Sequence, residues 1–261
     1  MQESNRPMTA RSVLASALLG EDPPELPVAH LVHLAGLFGI NENRARVALS
    51  RMVRAGEAVT DGSGSYRLTG HLLERQGRQE ASRRGETRPW EGDWRIVVVT
   101  ATGVAPDERT ARRKRLVRAR LGEQREGVWL RPDNIALVPD PAEDPGLSSY
   151  TGRPDADPAG RAGQLWDLAG WATGAAGLLR RLGGAVPSGP DDLAPGFVLS
   201  ASVLRHLQLD PLLPPALLPA RWPGPQLRQA YGEWDRQYRR VLAAWGRSVA
   251  ADGHAPARPR P

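Results

Sequence analysis

The sequence predicts an α/β multi-domain protein of the α+β type, with a winged helix-turn-helix near its N-terminal end. Three observations carry this. Residues 9 to 70 read as helix, helix, short turn, helix and hairpin, which is the order of a winged helix-turn-helix and about the size of one. An apolar strand, Ile96 to Thr100, opens a second region that runs on through a basic helix to another strand, "GVWLRP". Beyond Gly160, helical segments are separated by proline-rich joints. A chain of 261 residues has room for two or three compact domains.

The elements follow in order. "TARSVLASALLG" places Val13, Leu14, Ala17 and Leu18 at helical spacing and stops at Gly20. "EDPPELP" reads as a loop, because its prolines forbid helix continuation. "VAHLVHLAGLFG" carries Leu31, Leu34, Ala35 and Phe38 on one stripe, and Gly39 then makes a tight break. A third helix is expected from Asn41 to Ala55. After it, "EAVT" and "SYRLT" flank "DGSG", which is strong hairpin punctuation. Residues 71–89 are basic and aromatic-free, and are assigned as a linker that begins with a helical extension.

Residues 90–160 form the expected central domain. Its basic helix, "DERTARRKRLVRARLG", and the two strands around it suggest a βαβ-like unit, with "SSYTGR" a further strand. Residues 161–250 form the expected helical C-terminal domain. Its three segments are "AGQLWDLAGWATGAAGLLRRLGG", "DDLAPGFVLSASVLRHLQ" and "GPQLRQAYGEWDRQYRRVLAAWGRSV". Residues 251–261 are expected to be a disordered tail on composition.

Composition narrows the function classes. The absence of cysteine rules out disulfides and thiolate metal sites, and a reducing cytoplasm is the expected compartment. No apolar run approaches the roughly 18 residues of a membrane span, and the first residues lack the pattern of a signal peptide. A net charge of +6 suits an acidic partner such as nucleic acid. The count itself says little, because Lys114 is the single lysine among 35 basic residues and arginine is used everywhere. Placement has to decide.

The third helix, within "INENRARVALSRMVRAG", holds four arginines where the overall usage would give about two. At about 100° per residue, Ala45, Ala48, Leu49, Met52 and Val53 share one face, set to pack on Leu34 and Phe38. Arg46, Val47, Ser50, Arg51 and Arg54 occupy the opposite face, with Arg44 at its edge. Two readings fit. In one, the arginines are a solvated face on a helical hairpin that docks protein. In the other, the helix enters a major groove, where arginine bonds guanine O6 and N7 bidentately. Asn43, Arg44, Val47 and Arg51 then reach base edges, while Arg46 and Arg54 hold phosphates. Arg67 and the Gly-Ser wing would touch the adjacent backbone.

"TARSVLASALLG", "FGINENRARVALSRMVRAGE" and "SYRLTG" together resemble the N-terminal domain of the PaaX family of bacterial transcriptional regulators. The resemblance continues through "WEGDWRIVVV", "GVWLRPDNIAL", "LWDLAGW" and the long "LQLDPLLPPALLPARWPGPQLRQAY". It implies a winged helix that binds operator DNA, a central ferredoxin-like domain similar to Cas2, and a mostly helical C-terminal domain. It further implies a homodimer that reads an inverted repeat in double-stranded DNA. Such a protein represses catabolic genes and is relieved by a small-molecule effector such as an acyl-coenzyme A thioester. Cas2 nucleases carry an aspartate at the end of the first strand. Here that strand ends "VVVTAT", with no acid until Asp107. A metal-dependent nuclease working through this domain is the alternative function, and the expectation adopted is that the protein is not an enzyme.

The remaining constellations are weaker. His30 and His33 lie one turn apart without further ligand types, so no metal site is assigned. "GSGSYRLTG" lacks the lysine of a phosphate loop, and no nucleophile elbow or catalytic triad occurs. The basic helix with Arg112, Arg113, Lys114, Arg115 and Arg118 fits a solvated outer face, DNA phosphates, or the phosphates of a coenzyme A-type effector. Trp166, Trp171, Trp222 and Trp234 are expected to anchor C-terminal packing, with an effector pocket as the other use. "DPLLPPALLPARWPG" suits a rigid strap with buried leucines.

Overall fold

The computed structural model describes residues 9–62, 64–138, 140–155 and 157–252. The expected tail beyond residue 252 lies outside them. The chain divides into two compact units that do not follow sequence order. One takes the residues up to Ala81, Arg180–Leu204 and those from Ala230 onward; the other takes Ser82–Leu179 and Arg205–Gln229. The expected boundaries at 160 and 161 followed the linear sequence. The long C-terminal helices instead contribute to both units.

In the first unit, α1 (Ala10–Leu19), α2 (Val28–Gly36) and α3 (Glu42–Arg54) bury one apolar stripe each. Val13, Leu14, Leu18, Leu31, Leu34, Ala45, Leu49 and Met52 are all essentially inaccessible. Ala48 and Val53 are half-buried at the edges of that stripe. Thr9 and Asn41 cap α1 and α3, each accepting from the backbone N–H three residues on; such a cap stabilises a helix by about 1 kcal/mol. Gly39, at φ +69°, makes the left-handed turn between α2 and α3. Gly56, at φ +67°, ends α3, with the Glu57 N–H closing on the Met52 carbonyl at 2.9 Å.

The hairpin forms as expected from β2 (Ala58–Thr60) and β3 (Ser65–Leu68). A third strand was not legible. Glu25–Pro27, within the segment read as a loop, is β1 and pairs antiparallel with β3, giving the order β1-β3-β2. Its prolines are tolerated because β1 is an edge strand. The linker assignment for 71–89 also needs correction. Gly70–Arg84 is a continuous helix, α4, and only the residues after it are irregular up to β4. Leu72 and Ser82 are its buried anchors.

This unit also holds the aromatic ladder of the last helix, α9 (Gly224–Asp252). Trp234 stacks on Tyr238 with ring centres 5.1 Å apart, and its Nε1 donates to the Ala185 carbonyl at 2.6 Å. The Tyr238 hydroxyl donates to the Leu193 carbonyl at 3.0 Å, and burial pushes its pKa up. Phe38 meets Phe197 edge-on at 5.2 Å.

The second unit is built on a four-stranded antiparallel sheet. β4 (Trp94–Val99) lies beside β6 (Val128–Pro132) and β7 (Leu147–Gly152), and β5 (Gly122–Arg125) forms the edge, in the order β5-β6-β4-β7. β4 and β6 are antiparallel, not the parallel pair of a βαβ unit, because the unread strand β5 intervenes. With α5 (Pro106–Arg118) between β4 and β5, this is the strand order of a ferredoxin-like fold. Alternate residues of β4 serve the two faces. Val97 and Val99 pack with Trp129 and Leu116, and Trp94 and Ile96 pack with Leu130, Ala162, Leu168 and Leu213.

The first C-terminal segment, read as one helix, is two: α6 (Pro158–Leu165) and α7 (Leu168–Gly184). Trp166 is extended between them, and the Asp167 carboxylate restarts the helix by accepting from the Gly170 N–H at 2.8 Å. Leu193–Gln208 is α8. Trp171 is sandwiched by Trp222 and His206, each at 4.5 Å, and donates to the His206 carbonyl. The proline-rich strap after α8 buries Leu212, Leu213 and Leu217.

At the root of that strap lies a polar network. Arg131 is completely buried and donates to the carbonyls of Pro132, Arg120 and Leu212 and to Asn134 Oδ1. Burial lowers its pKa to about 9, so it stays charged at neutral pH. Asp210, also buried, pairs with Arg228 at 2.8 Å and accepts from the Leu212 N–H. Arg120 donates to the Asp210 carbonyl and to Ser82 Oγ. Arg120 and Leu212 both hold positive φ, +61° and +51°, a strained state for side-chain-bearing residues that these bonds secure.

Candidate nucleic-acid interface

The candidate surface is the outer arc of α3. Asn43, Arg44, Arg46, Val47, Ser50, Arg51 and Arg54 are all exposed on it, while Ala45, Leu49 and Met52 point the opposite way into the three-helix core. The arc follows from the helical period, and its starting point is set by the Asn41 cap, whose Oδ1 takes the Arg44 N–H at 2.9 Å. The arc is cationic but not uniformly so. Arg46 Nε donates to Glu42 Oε1 at 2.7 Å, one turn back. Among the described residues, Arg44, Arg51 and Arg54 have no side-chain partner. Val47, 41% exposed, gives the middle of the arc an apolar spot that suits a thymine methyl.

Arg67 lies elsewhere. It sits on β3, the middle strand of the small sheet, opposite Glu25 and Val59, and is exposed. Of the wing tip, Ser63 lies outside the described residues; Gly62 and Gly64 both hold positive φ.

Sequence reasoning missed two contributors. Glu42 is the first; its spacing four residues before Arg46 was a signal that could have found it. The second is Glu57, buried at the base of the hairpin. Arg11 Nε donates to Glu57 Oε2 at 2.9 Å and a second Arg11 nitrogen to Oε1, with His71 Nε2 3.7 Å away. The Arg11 hydrogen bond leads in holding the Glu57 pKa down against burial. This pairing ties the start of α1 to the root of β2. No local pattern announces it, because the partners are 46 residues apart.

The basic helix α5 divides its cations. Arg112 is buried and Arg115 half-buried. Arg113 pairs with Glu123 and lies over the Trp129 ring at 5.3 Å. Arg109, Lys114 and Arg118 face solvent. At the end of β4, Thr100 and Thr102 stand where a Cas2-type acid would. Among the described residues, no three His, Cys, Asp or Glu side chains cluster as metal ligands. No described helix is long and apolar enough to cross a membrane.

Comparison with known proteins gives a consistent picture. The model for "PaaX-like protein" matches residues 9–72, that for "PaaX protein central Cas2-like domain" residues 87–156, and that for "PaaX-like protein C-terminal domain" residues 188–249. No curated protein matches the chain. Among solved structures, the uncharacterized protein Rv0674 from Mycobacterium tuberculosis is 43% identical, with a TM-score of 0.70. The match covers 90% of this chain and 98% of that one. With all three domain models in N-to-C order on one polypeptide, the chain belongs to the PaaX family of regulators.

Proposed function

We propose that this protein is a DNA-binding transcriptional regulator that reads double-stranded DNA with α3. The observation that carries the reading is the exposed, largely unpartnered arginine arc on the second helix of a helix-turn-helix, beside a three-stranded wing. Arg44 and Arg51 read base edges with Asn43 and Val47; Arg46 and Arg54 hold phosphates, and Arg67 supports the backbone contact. The protein acts in the cytoplasm as a homodimeric repressor on an inverted repeat, and a small-molecule effector releases it. An acyl-coenzyme A thioester is the effector expected from the family. Linkage then requires DNA to weaken effector binding by the factor by which effector weakens DNA binding.

Gel shifts on the protein's own upstream region, with random-sequence competitor, test this reading. Wild type should show a specificity ratio that survives raised salt, since non-specific binding alone collapses steeply with salt. Specific binding that persists in the Arg44→Ala, Arg51→Ala double variant overturns α3 as the reading surface. Absence of specific binding in a genomic selection overturns the function.

A further inference from the structure

A ferredoxin-like unit carries a helix between its third and fourth strands. Here the segment between β6 and β7 has one turn of 3-10 helix, Pro141–Glu143. The shortening leaves a cavity of about 670 Å³ against α5. Its walls are Thr100 and Ala101 from the end of β4, Glu108, Arg112 and Arg115 from α5, and the segment Asp140–Leu147.

The chemistry of those walls is specific. Arg112 is 6% exposed. Its Nε and Nη2 engage Asp144 at 3.2 and 3.5 Å, and Nη2 also engages Glu108 at 3.2 Å. Arg115 adds a bond to Asp144 at 2.7 Å. Burial would raise the Asp144 pKa, but Arg112, the Gly146 N–H and Arg115 outweigh it and hold the carboxylate at about 2. Arg112 Nη1 is buried with no acceptor. Gly146 is the residue that lets the loop lie on this guanidinium, since a Cβ there would stand 2.7 Å from Nη2.

Two needs remain open. A buried guanidinium N–H without an acceptor calls for one. The charges do not balance: Glu108, Asp140, Glu143 and Asp144 face only Arg112 and Arg115, leaving a net deficit of two positive charges. Glu143 is exposed at the mouth and has no partner among the described residues. An anion alone meets the first need and worsens the second. A polyphosphate such as coenzyme A would set several negative charges against four carboxylates.

We propose that this cavity binds a small zwitterion of the amino-acid type. The carboxylate accepts from the Arg112 guanidinium, the ammonium faces Glu143 and Asp140, and Ala101, Leu116 and Leu147 enclose a short carbon chain. The site is independent of the DNA-binding reading, and its test uses no DNA.

Calorimetry and thermal unfolding of the full chain would be run with each proteinogenic α-amino acid. Sodium acetate, methylamine and acetyl-coenzyme A serve as comparison probes. At least one amino acid should bind and raise the unfolding temperature beyond acetate or methylamine. Glu143→Gln should weaken that binding about tenfold without changing the unfolding of the free protein. Arg112→Lys should abolish it. The proposal is overturned if no amino acid outperforms acetate and methylamine. It is equally overturned if binding ignores Glu143→Gln, or if acetyl-coenzyme A binding is what depends on Arg112 and Glu143.

Discussion

On α3, Arg44, Arg51 and Arg54 stand exposed, with no side-chain partner among the described residues. Around the strap of the other compact unit, Arg131 is wholly buried, and Arg120 and Arg228 are bound to Asp210. The side chain is the same, and so is its charge. On α3 the guanidinium keeps its hydration until a ligand displaces it, so its donors are available for recognition. Around Asp210 the donors are already spent on carbonyls and one carboxylate, so they hold backbone in place. Arginine content therefore says nothing about partners; the fate of the N–H groups does.

That contrast can be broken most violently at Asp210. Asp210→Ala leaves Arg228 buried beside no counter-charge and should cost about 3–5 kcal/mol of stability, read as a lowered denaturant midpoint. Arg51→Ala should do the reverse. Its stability should stay within about 0.5 kcal/mol of wild type, while specific DNA affinity falls by about 1–3 kcal/mol in gel shifts. If Arg51→Ala unfolds the protein, or Asp210→Ala leaves stability untouched, the distinction between the two sets collapses.

Acid should act more gently. Burial holds both His30 and His206 below the ordinary imidazole value of 6.5; Glu21 opposes this for His30, and the bond to the Trp171 carbonyl for His206. The unfolded chain therefore takes up protons first. The contribution of these histidines is complete above 6.5 and is lost as pH falls through that value toward the folded ones. Denaturant midpoints should drop on that descent, and His206→Gln should flatten the drop. Smallest of all, Glu42→Gln frees Arg46 and should tighten DNA binding by a few tenths of a kcal/mol.

The helix-turn-helix was legible because each local signal agreed: helical spacing of Leu31, Leu34, Leu49 and Met52, the Asn41 cap, and the "DGSG" turn. The exposed arc followed from the same period. β1 was not legible, since the prolines around Glu25–Pro27 argue against a strand and only pairing with β3 makes it one. β5, "GEQR", is a polar edge strand without alternation. Arg131 could not be told from a solvent-facing arginine of "GVWLRP", because its acceptors come from Leu212 and Asn134 through the fold. The cavity beside α5 was invisible for a similar reason. It exists because a helix is shortened, and the sequence there reads only as a loop.

One compositional fact acquires meaning on this surface. Lys114, on α5, is the chain's single lysine, and the cations of the α3 arc and of β3 are all arginine. A guanidinium stays protonated at any pH a cell reaches, and lysine-directed acylation passes it by. The DNA-facing charge is thus beyond the reach of acetyl-transfer chemistry, and only a ligand or a change of sequence can retune its grip.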